Sequence, residues 1–279
     1  MSKIYHRAVS SVRKVYLQQN SPIHTAGFVL EPGEWQRTDP FLIMAHDVMK
    51  KGVFGVHPHR GFETVTYMID GKLNHYDSKS GEGVLYPGDA QWVTTGKGVE
   101  HLEDAAPGEI VHLLQLWVNL PAKDKMTTPR YQDLRKDEMP KKIENGVSTK
   151  VFSGTFNGLT APTLNYAQVT MVEFKIKAGS HTIGEIPGSY NGFLYILKGA
   201  GTFGVDNTPA KEMDVLWLTS NKDAEASTVS IQATEDMHVM LYAGEPLGEP
   251  VVTRGPFVMN TEEEILKAFV DYRNGTFLD

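Results

Sequence analysis

Two clusters of side chains able to bind a metal mark the stretch from residue 56 to 103: His57-Pro58-His59-Arg60-Gly61-Phe62-Glu63 and His101-Leu102-Glu103. Alternate side chains of an extended strand share a face, so His57 points with His59 and His101 with Glu103. If the two strands face one interior, three imidazoles and a carboxylate converge. That mixed nitrogen and oxygen set suits Fe, Mn, Co, Ni or Zn in the divalent state. Four protein ligands leave an octahedral ion two open positions, where a substrate or dioxygen can bind. Glu63 shares the parity of His57 and His59 and competes with Glu103 for the fourth place.

The elements that must carry these residues read as strands. From Glu63 onward Val65, Tyr67 and Ile69 alternate with Thr64, Thr66 and Met68, and Asp70-Gly71 supplies a tight turn. Short strands are expected over 12–17, 26–30, 72–76, 83–86 and 90–94, with an apolar run over 111–120. No helical period interrupts this half, which predicts a closed antiparallel barrel or a jelly roll. Residues 121–146 are charged and Pro-containing, weakly helical around 131–135, and read as a connection between domains. Short strands then resume over 164–176, 193–197, 202–206, 215–219, 229–233 and 239–243. A helix is expected from 262 to about 274, with Thr261 and Glu264 as its capping box and Gly275 as its stop. Its stripe of Ile265, Leu266, Phe269 and Val270 should dock on a barrel wall.

The second half looks like a degenerate copy of the first. Tyr67-Met68-Ile69-Asp70-Gly71 aligns with Tyr195-Ile196-Leu197-Lys198-Gly199 at an offset of 128, and Asp89 and Trp92 with Asp214 and Trp217 at 125. These offsets set Glu185 and Pro187 against His57 and His59, and Ala226 and Thr228 against His101 and Glu103. The copy lacks the donor set, so the donors serve a task that one half performs.

Composition narrows the rest. The chain has 279 residues with 41% hydrophobic and 22% charged, as a globular protein of one large or two ordinary domains has. It contains no Cys, which leaves His and carboxylates as metal donors. A formal charge of -7 disfavours nucleic acid as a direct partner. The N-terminal residues lack the apolar core of a signal peptide and no run approaches a membrane span, so a cytoplasmic location is expected. The other histidines, His6, His24, His46, His75, His112, His181 and His238, are expected on the surface or hydrogen-bonded in a core. Trp92, Trp117, Phe41, Met44 and Met68 are expected as packed interior, with the wall of an aromatic-substrate pocket as the alternative.

Residues 52–71 resemble the first motif of the cupin superfamily, G-x-H-x-H with a following Glu and Gly. Four stretches are similar to the pirin family: His57 through Val65, Pro87-Gly88-Asp89-Ala90-Gln91-Trp92, Gln115-Leu116-Trp117-Val118-Asn119-Leu120-Pro121 and Pro129-Arg130-Tyr131-Gln132. Arg254-Gly255-Pro256-Phe257-Val258-Met259-Asn260-Thr261 resembles the pirin C-terminal domain. The resemblance implies an all-β bicupin: two cupin-type antiparallel β-barrels in tandem with a short C-terminal helix. A metal-binding barrel is expected over 1–135 and a degenerate one over 147–279.

It further implies one metal held by His57, His59, His101 and Glu103, with Glu63 outside the ligand set and orienting an imidazole or a bound water. Fe(II) is the foremost candidate, with Mn, Co, Ni, Cu or Zn as others. The implied activity is quercetin 2,3-dioxygenase, taking a small aromatic substrate and O2, with Glu103 as the proton acceptor. Some pirins act instead as metal-dependent transcriptional co-regulators. Because imidazole must be neutral to bind a metal, affinity is expected to weaken as pH falls through about 6.5.

Overall fold

The structure, a computed structural model, describes residues 4–78 and 81–279. Met1, Ser2 and Lys3, part of the N-terminal reading above, lie outside the described residues. The chain is all-β apart from short helices, and among its described residues no helix is long and apolar enough to cross a membrane.

One unit takes residues 17–36, 40–136 and 247–279. Its larger sheet has seven strands in the order Arg130–Leu134, Ala90–Thr94, Phe62–Asp70, Val111–Asn119, Phe41–Met49, His24–Leu30 and Gln18–Ser21. Its smaller sheet has four, in the order His57–His59, Val99–Ala105, Leu73–Asp77 and Gly81–Leu85. The sheets are not closed barrels, contrary to the sequence expectation. The end strand of each ladder pairs on one side, and closure needs a hydrogen-bonded partner on both. Period-2 burial is clear in Val99–Ala105, where Val99, His101, Glu103 and Ala105 are buried and the residues between them are not. The apolar part of the interior gathers Met49, Met68, Leu73, Leu85, Ala105, Val111 and Leu113.

The other unit takes the segment ending at Tyr16, residues 37–39 and 137–246. Seven strands run Lys141–Glu144, Val147–Ser153, Val169–Ile176, Met237–Gly244, Asn191–Lys198, Asp214–Leu218 and Val9–Lys14. A smaller sheet is centred on Ala226–Ala233, which pairs with His181–Pro187, with Ala200–Phe203 and, in parallel, with Tyr5–His6. The core here is apolar throughout, with Phe156, Phe174, Leu194, Ile196, Leu216 and Leu241 at its centre. Phe156 lies so close to Gly184 that a side chain there would collide with its ring.

These units are not the consecutive pieces 1–135 and 147–279. Val9–Lys14 pairs with Asp214–Leu218 and so belongs with the second half. The C-terminal helix, Glu262–Arg273, belongs with the first, burying Ile265 and Ala268 among Phe257, Met259 and Phe277. Its capping box is as read from sequence, but Leu266 and Val270 are exposed, so the buried stripe is narrower. The supposed connection is not a linker either. Arg130–Leu134 is a strand along Ala90–Thr94, and Lys141–Glu144 pairs with Val147–Ser153. Laying a strand there satisfies backbone groups that Ala90–Thr94 would otherwise leave unpaired, which outweighs weak helical propensity.

Gly61, between His57–His59 and Phe62–Asp70, has φ +87° and no room for a Cβ, which would strike the Val258 carbonyl oxygen. Gly61→Ala is expected to cost about 2–3 kcal/mol. A lowered urea midpoint at unchanged m-value is the measurement.

Candidate metal centre

The donors sit on the smaller sheet of the first unit. Val99–Ala105 lies between His57–His59, with His101 opposite His57, and Leu73–Asp77, with Glu103 opposite His75. Pro58 has no N–H, which suits His57–His59 to its place as an edge strand.

Donor atoms of His57, His59 and His101 all lie within 4.8 Å of one another, so the three can hold a metal ion. His57 Nδ1 is 2.8 Å from the Gly55 carbonyl and His59 Nδ1 is 3.3 Å from the Pro256 carbonyl. A carbonyl only accepts, so each Nδ1 carries the hydrogen and donates it, leaving Nε2 with a free lone pair. The Nε2 atoms of His57 and His101 are 3.0 Å apart. Two nitrogens at right angles on an ion, each about 2.1 Å from it, are about 3.0 Å apart. The residues therefore fit a divalent ion.

His59 and His101 are buried, at 4% and 0% exposure. Burial first, then the neighbouring imidazoles, holds the pKa of each well below 6.5, so both stay neutral and ready to ligate. Trp117 and Phe62 line the centre, with ring centroids 5.3 and 5.0 Å from that of His59. Phe54 lies over His57 at 6.3 Å. Of the aromatic and Met residues read as packed interior, Trp92, Phe41, Met44 and Met68 are fully buried, whereas Trp117 stands at the histidines.

Glu103 faces the same interior as His101 but is not one of the three grouped residues. Its Oε1 accepts from Thr66 Oγ1 at 2.7 Å and its Oε2 from Gln115 Nε2 at 2.6 Å. Thr66 Oγ1 is also 2.6 Å from Gln115 Oε1.

Glu63 does not orient an imidazole. Alternation along Phe62–Asp70 sets it on the face opposite Thr66, where Thr94 Oγ1 donates to it at 2.6 Å. Burial, partly offset by Thr94 and the Trp92 indole, raises its pKa to about 7. Parity counting from His59 failed because Gly61 breaks the extended backbone and restarts the alternation.

Sequence reading also missed His75. It is 2% exposed, its ring 5.7 Å from that of His101 and 4.9 Å from that of Tyr131, and neither nitrogen has a hydrogen-bond partner among the described residues. Tyr131 in turn accepts from Gln91 Nε2 at 2.7 Å. The available signal was the alternation Leu73, His75, Asp77, but only pairing with Glu103 brings it to the site. Other histidines are hydrogen-bonded as expected: His6 to Thr228, His24 to Asp47 and His238 to Glu173.

In the second unit the corresponding pairing sets Pro187 opposite Ala226, where the first has His57 opposite His101. The repeat offset is thus two residues out along this longer strand, and no imidazole falls at either position. A cavity of about 410 Å³ lies in this unit, lined by residues including Ile143, Val147, Lys175, Lys198 and Met237, with none of the metal donors.

The family model described as Pirin matches residues 23–118, and the Pirin C-terminal cupin domain matches residues 171–278. A pirin-like protein of Solanum lycopersicum is 38% identical over 281 residues, covering 99% of this chain and 95% of that one. Among solved structures, GK1651 from Geobacillus kaustophilus is 50% identical with a TM-score of 0.88, covering 89% of this chain and 100% of that one. A quercetin 2,3-dioxygenase from Acinetobacter baumannii is 28% identical with a TM-score of 0.87, covering 98% of each.

Proposed function

This chain belongs to the pirin family, and on that footing we propose that it is a metal-dependent dioxygenase opening the heterocyclic ring of flavonols such as quercetin with O2. The observation that carries this reading is the cluster of three imidazoles, with a carboxylate on the strand that carries His101. Likeness to the Acinetobacter baumannii enzyme over nearly the whole chain supports the choice of substrate class.

His57, His59 and His101 would hold the ion, with Glu103 as the fourth ligand and Fe(II) as the preferred metal. A divalent ion there supplies Lewis acidity and open positions for ligands. The chain's own part is proton handling and enclosure. Glu103 would take the proton of the flavonol 3-hydroxyl, and its neighbours suit it to both protonation states. A Thr66 hydroxyl has one hydrogen but lies within hydrogen-bond distance of two acceptors. With Glu103 ionised, Thr66 donates to Oε1. With Glu103 protonated, Oε1 donates to Thr66, which turns its own hydrogen to Gln115 Oε1. Gln115 Nε2 holds Oε2 in either state. Proton acceptance therefore leaves no acceptor newly stranded, which lowers its cost. Trp117 and Phe54 give the aromatic wall against which a planar substrate can pack, with Phe62 fully buried and packed against Trp117.

The test is to load the purified protein with Fe(II) anaerobically, add quercetin and then O2, and follow the flavonol absorbance together with oxygen uptake. Turnover that is metal-dependent is expected. Its absence with every first-row divalent metal, in protein that retains the metal, overturns the enzyme reading and leaves a metal-binding regulatory protein. Turnover of a sugar phosphate without oxygen uptake would point to an isomerase instead.

A further inference from the structure

We infer that the C-terminal segment, residues 255–279, is a working part of the metal centre, and that metal binding and docking of this segment strengthen one another. The segment holds both arms of the ligand set. On the first arm, the Pro256 carbonyl receives the His59 Nδ1 hydrogen at 3.3 Å. The next residue, Arg60, bridges to Phe257, and Val258 N donates to the Arg60 carbonyl at 3.0 Å. Lys125, itself buried, spans the Gly61 and Val258 carbonyls at 2.8 and 3.0 Å and takes Asn119 Oδ1 as its third acceptor.

The second arm is reached through the same residue. Arg60, at 3% exposure, donates from Nε to the Lys97 carbonyl at 2.6 Å, from Nη1 to Asp271 Oδ2 at 2.8 Å and from Nη2 to the Phe277 carbonyl at 3.3 Å. Its guanidinium also lies 4.4 Å from the centroid of the Phe277 ring. Lys97 and Gly98 lead into the strand that carries His101. Gly98 packs against Phe277 with no space for a side chain, and Lys97 Nζ donates to the Asp279 carbonyl at 2.6 Å. One buried guanidinium thus ties the turn after His59, the turn before His101 and the C-terminal helix into a single hydrogen-bonded unit.

Metal donors must hold their positions to within a few tenths of an ångström, and losing a group that orients a ligand typically costs about 10- to 100-fold in affinity. Arg60 and Asp271 are on this view positioning residues. Coupling is reciprocal: if the docked segment raises metal affinity by some factor, the metal raises docking by the same factor. The inference rests on the metal site proposed above but not on its ring-opening chemistry.

Nickel(II) serves as the probe, since its uptake can be read without turnover. In Asp271→Asn, nickel affinity measured by competition with a chelator is expected to fall about tenfold, whereas Asp271→Glu, which keeps the charge, should stay nearer the parent value. In the parent protein, amide exchange across residues 256–259 and 271–277 is expected to slow on nickel loading. A lowered melting temperature of nickel-free Asp271→Asn with nickel affinity unchanged would mean a folding role alone and overturn the inference. Exchange in the segment that ignores nickel overturns it too, and decides the matter should Asp271→Asn fail to fold. Parent protein that takes up no nickel removes the metal site and this inference together; retained nickel coupling without flavonol turnover removes only the ring-opening reading.

Discussion

His59→Ala is expected to leave purification and dialysis essentially metal-free, with affinity lower by about a hundredfold or more and flavonol turnover lost with it. The change removes one of the three grouped imidazoles and leaves the proposed site with two of them and Glu103, one ligand short. The change also removes the ring that packs against Trp117 and Phe62 and the hydrogen bond to the Pro256 carbonyl. Elemental analysis per chain is the measurement. Glu185→Ala in the second unit, at a position the sequence repeat sets against His57, is the matched control and should keep its metal. Metal retained in His59→Ala, or lost in Glu185→Ala, would place the ion elsewhere and dismantle the functional reading.

Acid should destabilise the metal-free protein well before its surface carboxylates are titrated. Burial, with a smaller contribution from His112, lowers the pKa of His46 to about 4, and His59, His75 and His101 are lowered in the same direction by burial. Folded chains keep these groups neutral below pH 6.5 while unfolded chains protonate them. The unfolded state then binds more protons, and stability falls with pH. For His46 the window runs from 6.5 to about 4 and is worth about 3 kcal/mol when complete. Glu63 opposes this: its pKa, raised to about 7, means that the folded chain takes up a proton that the unfolded chain refuses above about 4.5. It offsets about one histidine, and Asp47, raised by burial, works the same way. Four lowered histidines against two raised acids leave an expected net loss of stability between pH 7 and 4. Urea midpoints across that range measure it, and a protein that gains stability in acid would refute the assignment.

The same shifts revise the expected pH dependence of metal binding. Protons compete for His59 and His101 only once pH nears their folded values, which lie well below that of free histidine. Nickel retained on dialysis should therefore survive below pH 6.5 and be lost further down.

Much of this molecule is written in local sequence pattern, and the places where that pattern misleads share a physical cause. His57 with His59, and His101 with Glu103, were paired by alternation within single strands, where one extended backbone leaves no freedom. Capping of the last helix by Thr261 and Glu264 was equally local. Glu63 was misjudged because alternation was carried across Gly61, whose left-handed backbone cannot be seen in a list of residue types. His75 was passed over because a lone histidine on a short strand gains meaning only from the partner opposite it.

Composition, strand period, turn residues and the worn repeat were enough to establish an all-β chain of two related halves with donors in one. Tertiary structure alone decided that Val9–Lys14 completes the second half's sheet, that residues 247–279 belong with the first half, and that 130–134 is a strand. Period and propensity are properties of neighbours along the chain. Which strand takes which edge depends on backbone groups hundreds of residues apart finding partners away from water, and no local pattern records that choice.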